Sequence, residues 1–77
     1  MNSPEIEDVP IRDGGIRLGQ FLKFVGVADS GAGAAALIAD GDVLVDGVVE
    51  TRRGRQLERG VVVEVNAPAG VEKFRVT

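Results

Sequence analysis

Apolar residues at Leu18, Phe21, Leu22 and Val25 fall at i, i+3, i+4 and i+7, the stripe of one helical face. Gly26 follows, where such a helix can stop. Ser30 then offers a hydroxyl suited to an N-cap, and Ala34, Leu37 and Ile38 carry a second helical stripe that Asp40-Gly41 ends. From Val43 the period changes to two and β-branched residues dominate, so the second half of the chain reads as sheet. Asp46-Gly47 between Val45 and Val48 is the signature of a two-residue hairpin turn. The polar run from Glu50 to Gly60 reads as a loop carrying arginines, Val61 to Val65 as a buried strand, Asn66 to Gly70 as a turn and Val71 to Val76 as a last strand. Residues 1 to 15 read as a polar lead-in, broken by Pro4 and Pro10 and closed by an Asp13-Gly14-Gly15 turn, with a short edge strand around Val9 to Arg12.

Size and composition narrow what such a pattern can do. The 77 residues hold one domain, and a domain this small buries only about 60% of the surface its unfolded chain exposes. There is no cysteine and no histidine, which removes disulfides, thiolate metal sites, the usual general base and the commonest zinc ligand. No cofactor and no metal site is expected. Met1 to Pro10 is acidic without an apolar run, unlike a signal or transit peptide, and no stretch approaches the roughly 20 apolar residues that span a bilayer. The reading is an intracellular protein without a membrane partner.

Charge first argues against nucleic acid, because the net value is -3 and phosphate binding relies on basic side chains. The average conceals a gradient. Residues 1 to 50 hold Arg12, Arg17 and Lys23 against nine acids, whereas residues 51 to 77 hold six basic groups against three acids. The positive excess is concentrated at Arg52, Arg53, Arg55 and Arg59.

The succession of helix, turn, Ser-Gly-capped helix, Gly-Asp-Val strand, Asp-Gly hairpin, Arg-rich loop and strand resembles the S4-like RNA-binding domain, and more narrowly its short stand-alone bacterial members. The residues that carry the resemblance are Ile16-Arg17-Leu18 and Phe21-Leu22-Lys23 on the first helix, and Ser30-Gly31 with Ala34 and Ile38 on the second. They continue through Gly41-Asp42-Val43, Val45-Asp46-Gly47, Glu50 to Arg55, Leu57 and Gly60. The match covers residues 16 to 65, and the domain is placed at 16–77 after a lead-in over 1–15. It implies an α+β fold, the alpha-L motif, with two N-terminal helices packed on a small antiparallel sheet. It also implies a cytoplasmic, non-catalytic protein, expected to be a monomer, that binds structured RNA, ribosomal or transfer, with the ribosome as its setting. Departures thin that surface: Gly33 and Ala35 stand where Glu and Lys are common, Gln56 where Lys is usual, and Val61 where Asp is usual.

The surface expected to meet RNA comprises Arg17, Lys23, Ser30, Gly31, Arg52, Arg53 and Arg55. Guanidinium forks on a loop can reach phosphate oxygens bidentately and stack on exposed bases. The competing use of the loop arginines is a solvated arrangement paired with Glu50 and Glu58. Arg17 and Lys23 lie six residues apart, about 240° modulo a turn at 100° per residue, so they should not share the centre of one helical face. Ser30-Gly31 can cap the second helix and also present free amides and the positive dipole end to a phosphate. Arg12 and Arg59 are outlying basic residues without a specific assignment. Phe21, Phe24 and Phe74 could in principle stack bases, although Phe21 sits on the apolar stripe and Phe74 in an alternating strand, positions that belong to a core.

Two other motifs are set aside. Gly31 to Ala36 superficially fits a dinucleotide fingerprint, but that motif needs a preceding strand within a βαβ unit. Asp40, Asp42 and Asp46 occupy turn and strand-edge positions that Asp fills for backbone reasons. No nucleophile, base and orienting group can be assembled, so no catalytic residue is assigned. The rival reading is a protein-interaction module that keeps the fold with reduced RNA affinity.

Overall fold

The computed structural model describes residues 5–12 and 14–77. Its elements are β1 (Ile6–Val9), β2 (Ile16–Arg17), α1 (Leu18–Phe24), α2 (Gly31–Ala39), β3 (Val43–Val45), β4 (Val48–Val49), β5 (Gln56–Leu57), β6 (Val62–Ala67) and β7 (Gly70–Val76). The main sheet has five strands in the order β1-β7-β6-β3-β4, and β2 pairs with β5 in a separate two-stranded ribbon. β1 runs parallel to β7, and the other neighbours are antiparallel.

Two features of the expected architecture need correction. The helices are preceded by strands, and the sheet is mixed. The lead-in strand falls at Ile6–Val9, earlier than Val9 to Arg12, and occupies the sheet edge beside β7. A lone polar strand carries little local signal; what fixes it is the ladder to β7, closed at its end by Thr77 N donating to Val9 O at 2.9 Å and by the Arg75–Asp8 ion pair at 3.2 Å. Pro4 and Asp13 of the lead-in lie outside the described residues.

The two-residue alternation is used as expected. Val43, Val45, Val63, Val65, Phe74 and Val76 are all buried, and the register sets Val43 beside Val65, and Val45 and Phe74 on either side of Val63. The helices close over this apolar face with Leu18, Phe21 and Leu22 from α1 and Ala34 and Ile38 from α2. Phe21 meets Phe74 edge-on, with ring centroids 6.0 Å apart, a favoured aromatic geometry that ties the first helix to the last strand. On the opposite sheet face Lys73 pairs with Glu64 across neighbouring strands at 3.7 Å.

The β3–β4 hairpin turns on Asp46 and Gly47, which both have positive φ (50° and 83°), the requirement of a type I′ turn. Asp46 also accepts a hydrogen bond from the backbone N of Val62 at 2.9 Å, stitching the turn to β6. The expected five-residue turn before the last strand contracts to Pro68-Ala69, with Ala67 already paired to Gly70. Within the expected loop, Gln56–Leu57 forms β5 against Ile16–Arg17, and Leu57 is fully buried. Gly15 makes this pairing possible: at φ +89°, a Cβ there would lie 2.6 Å from the carbonyl oxygen of Leu57. No helix among the described residues is long and apolar enough to cross a membrane.

Candidate nucleic-acid interface

The arginine loop is organised by one carboxylate. Among the described residues Glu50 is the one buried charged side chain, held where the chain leaves β4 by its backbone N donating to Val43 O at 2.9 Å. It accepts hydrogen bonds from the Arg52 backbone N (3.1 Å), Arg52 Nε (3.0 Å), Arg52 Nη2 (3.1 Å) and Arg55 Nη1 (2.8 Å). The Arg52 side chain, then Arg55, hold the Glu50 carboxyl at about 2 against an ordinary 4.5, and Glu50 in return raises the Arg52 guanidinium. The pairing with Glu50 weighed from the sequence is therefore present. Among the described residues no ion pair joins these arginines to Glu58.

Held in this shape, the loop docks on the start of α1. The carbonyls of Arg55 and Arg53 accept from Leu18 N (2.8 Å) and Gly19 N (2.9 Å), satisfying two of the amides that a helix N-terminus leaves free. The approach is close because residue 19 has no side chain; a Cβ there would meet Arg53 O at 3.4 Å and Arg53 Cβ at 3.5 Å. Gln20 Oε1 accepts from Arg17 N at 3.3 Å. Gln56, standing where a basic residue is usual in the resembling family, donates from Nε2 to Gly14 O at 2.9 Å.

Docking the loop on α1 beside α2 creates a shallow depression of about 250 Å³. Arg17, Lys23 and Arg53 give it three cations, and Gly31 brings the N-terminal end of α2 to its border. Gln20, Gly54 and Ala35 complete much of the wall, and no acidic side chain among the described residues lines it. Arg17 and Lys23 thus face one depression, contrary to the helical-wheel expectation. The reason is local: Ile16-Arg17 is strand β2, and Arg17 caps α1 in an extended conformation (φ -83°, ψ 151°), so steps of 100° per residue do not begin there.

Of the expected residues, Arg17, Lys23, Gly31 and Arg53 are brought together. Ser30 borders α2 as its N-cap, with Oγ accepting from Gly33 N at 3.0 Å. Arg52 and Arg55 turn towards Glu50, Arg52 with 74% and Arg55 with 37% of its side chain still exposed. Sequence reasoning missed Gln20 and Gly54 as walls and Glu50 as organiser. For Glu50 the available signal was a carboxylate at the exit of a hairpin, two residues before Arg52. Ala35 lies in the depression itself, so the absent lysine is missing from the site and not from its surroundings. Among the described residues, no group of histidine, cysteine or carboxylate side chains is arranged to hold a metal ion.

Comparison with known proteins finds matches in family, sequence and fold. Residues 9–76 match the S4 domain family. The probable ribosome maturation protein RlbA of Bacillus subtilis (strain 168) is 46% identical over 61 residues, which span 79% of this chain and 82% of that protein. The solution structure of YbcJ from E. coli, described as revealing an alpha-L motif involved in RNA binding, is 31% identical. It superposes with a TM-score of 0.67 over 100% of this chain and 94% of that one.

Proposed function

This chain belongs to the S4 domain family, and on that premise we propose that it binds structured RNA, ribosomal RNA first, as a cytoplasmic monomer whose role is binding and not catalysis. The observation that carries the reading is the convergence of Arg17, Lys23 and Arg53 on one depression at the end of α2, lined by no acid among the described residues, on a chain whose net charge is -3. Three cations meet on one face while the molecule as a whole is acidic. That arrangement favours a phosphate backbone at this face and opposes it elsewhere. YbcJ supports the RNA partner, and RlbA supports a ribosomal source for it.

Arg52 and Arg55 serve this surface in two ways. Their bonds to Glu50 fix the loop that presents Arg53, and the exposed part of the Arg52 guanidinium adds positive potential beside the depression. Base-specific readout is minor, because double-stranded RNA is recognised by shape and backbone contacts.

The test is fluorescence anisotropy of labelled ribosomal RNA stem fragments at about 50 and 200 mM salt. Three phosphate contacts predict a loss of roughly 20- to 40-fold between those conditions, from about 0.7 to 0.9 counterions released per contact. Changing Arg17, Lys23 and Arg53 together to Gln should abolish most of the affinity and flatten the salt dependence. Ala35→Lys should restore a cation to the depression, tighten binding and steepen the dependence. Salt-insensitive binding, or affinity unchanged in the triple variant, would refute the proposed surface.

A further inference from the structure

The outer face of α1 carries one residue that neither the core nor the cationic depression absorbs. Phe24 is 63% exposed, the largest exposed aromatic surface among the described residues. Beside it is a second depression of about 310 Å³, walled by Pro10, Ile11 and Ile16, with Arg12 at its edge. No acidic side chain among the described residues lines this depression either.

The two depressions flank the same helix. At about 100° per residue, Gln20 lies between Lys23 and Phe24 around α1. Lys23 and Gln20 line the first depression, and Phe24 lines the second. On the other side of the helix start, neighbouring Arg17 and Ile16 divide between them in the same way. A strand whose phosphates lie against Arg17, Lys23 and Arg53 therefore passes within one helix width of an exposed aromatic ring.

From this continuity we infer that Phe24 and the apolar depression beside it form a stacking site for one unpaired nucleobase of the bound RNA. Arg12 lies against the phosphate of that nucleotide or against its base. The inference rests on the RNA-binding reading and deepens it. A fully paired stem keeps its bases stacked inside the helix and has no use for such a ring, whereas a bulged or loop nucleotide can be splayed onto an aromatic face. The chemistry favours a base over an apolar peptide segment. The depression adjoins a cationic surface, its own rim is cationic, and guanidinium groups stack on bases as well as pairing with phosphate.

The experiment compares a perfectly paired RNA stem with the same stem carrying a single-nucleotide bulge labelled with 2-aminopurine. Each is titrated with wild type, Phe24→Ala, Phe24→Tyr, and the variant with Arg17, Lys23 and Arg53 changed to Gln. Wild type should bind the bulged stem about 5-fold or more tightly than the paired one, and the 2-aminopurine fluorescence should change on binding as the base leaves one stack for another. Phe24→Ala should lose that preference and the fluorescence change while keeping its affinity for the paired stem. Phe24→Tyr, which preserves an aromatic face, should retain both. Circular dichroism of each variant confirms its fold, which Phe24→Ala should leave intact because the side chain is largely exposed. If wild type binds the two stems equally, or Phe24→Ala keeps the preference, the stacking site is wrong while the cationic surface stands. If wild type binds neither stem, the RNA-binding reading falls and this inference falls with it. An equal loss of affinity for both stems in Phe24→Ala would make the residue a general contact and would also overturn the base-stacking role.

Discussion

Glu50 organises the arginine loop through one buried carboxylate. Its carboxylate satisfies three donors of Arg52 and one of Arg55, so the arginines that look most available in the sequence are partly committed. Replacing Arg52 and Arg55 by Ala would leave a buried carboxylate with only the backbone amide of residue 52 as a partner, and any loss of binding would mix loop disorder with loss of charge. Substitutions at Arg17, Lys23 and Arg53 avoid that difficulty. Glu50 also sets the acid response. Its carboxyl is depressed to about 2 from 4.5, so the folded state prefers it ionised. Its stabilisation is complete above the ordinary carboxylate range and is lost progressively as pH falls from about 4.5 towards 2. Urea denaturation across that interval should show wild-type stability falling, with a shallower fall in Glu50→Gln, which has already lost the charge. Parallel pH profiles for the two proteins would show that Glu50 contributes nothing to the acid limb.

At the scale of elements, the sequence was most legible where one local rule dominates. Helical stripes located α1 and α2, Ser30 located the start of α2, and Asp46-Gly47 located the hairpin. The elements that escaped it were those made by distant partners. Ile6–Val9 and Gln56–Leu57 have little strand character of their own and exist because β7 and β2 offer backbone groups to pair with. The α1 cap was hidden for the same reason, since its acceptors are the carbonyls of Arg53 and Arg55 and not an adjacent side chain. The domain expected over 16–77 is tested by a chain shortened to begin at Pro10. That chain loses the ladder to β7 and the buried side chain of Val9. Burial of one valine is worth about 1.5 to 3 kcal/mol, which in a domain this size corresponds to a melting temperature lower by roughly 6 to 24 °C. A shortened chain melting at the wild-type temperature would show that β1 is dispensable to the domain.

Across the whole molecule, net charge was the least informative number and its distribution the most. The chain is acidic, yet the fold gathers Arg17 and Lys23 from the acidic half with Arg53 from the basic half around one depression. The sequence assigned all three to one expected surface but held Arg17 and Lys23 apart around the helix, because their meeting depends on the extended cap at Arg17, which no local pattern announces. Opposite chemistry sits at the far edge of the main sheet, where Val48 and Val49 of β4 are 69% and 52% exposed; a protein-interaction role would use such a surface. An amide-resolved NMR titration with a ribosomal RNA stem separates the two. The expected result is chemical-shift change concentrated at Arg17, Gly19, Gln20, Lys23, Gly31, Arg53 and Gly54, reversed by added salt. Changes confined to the β3–β4 hairpin around Val48 and Val49, or none at all, would contradict RNA binding at this face.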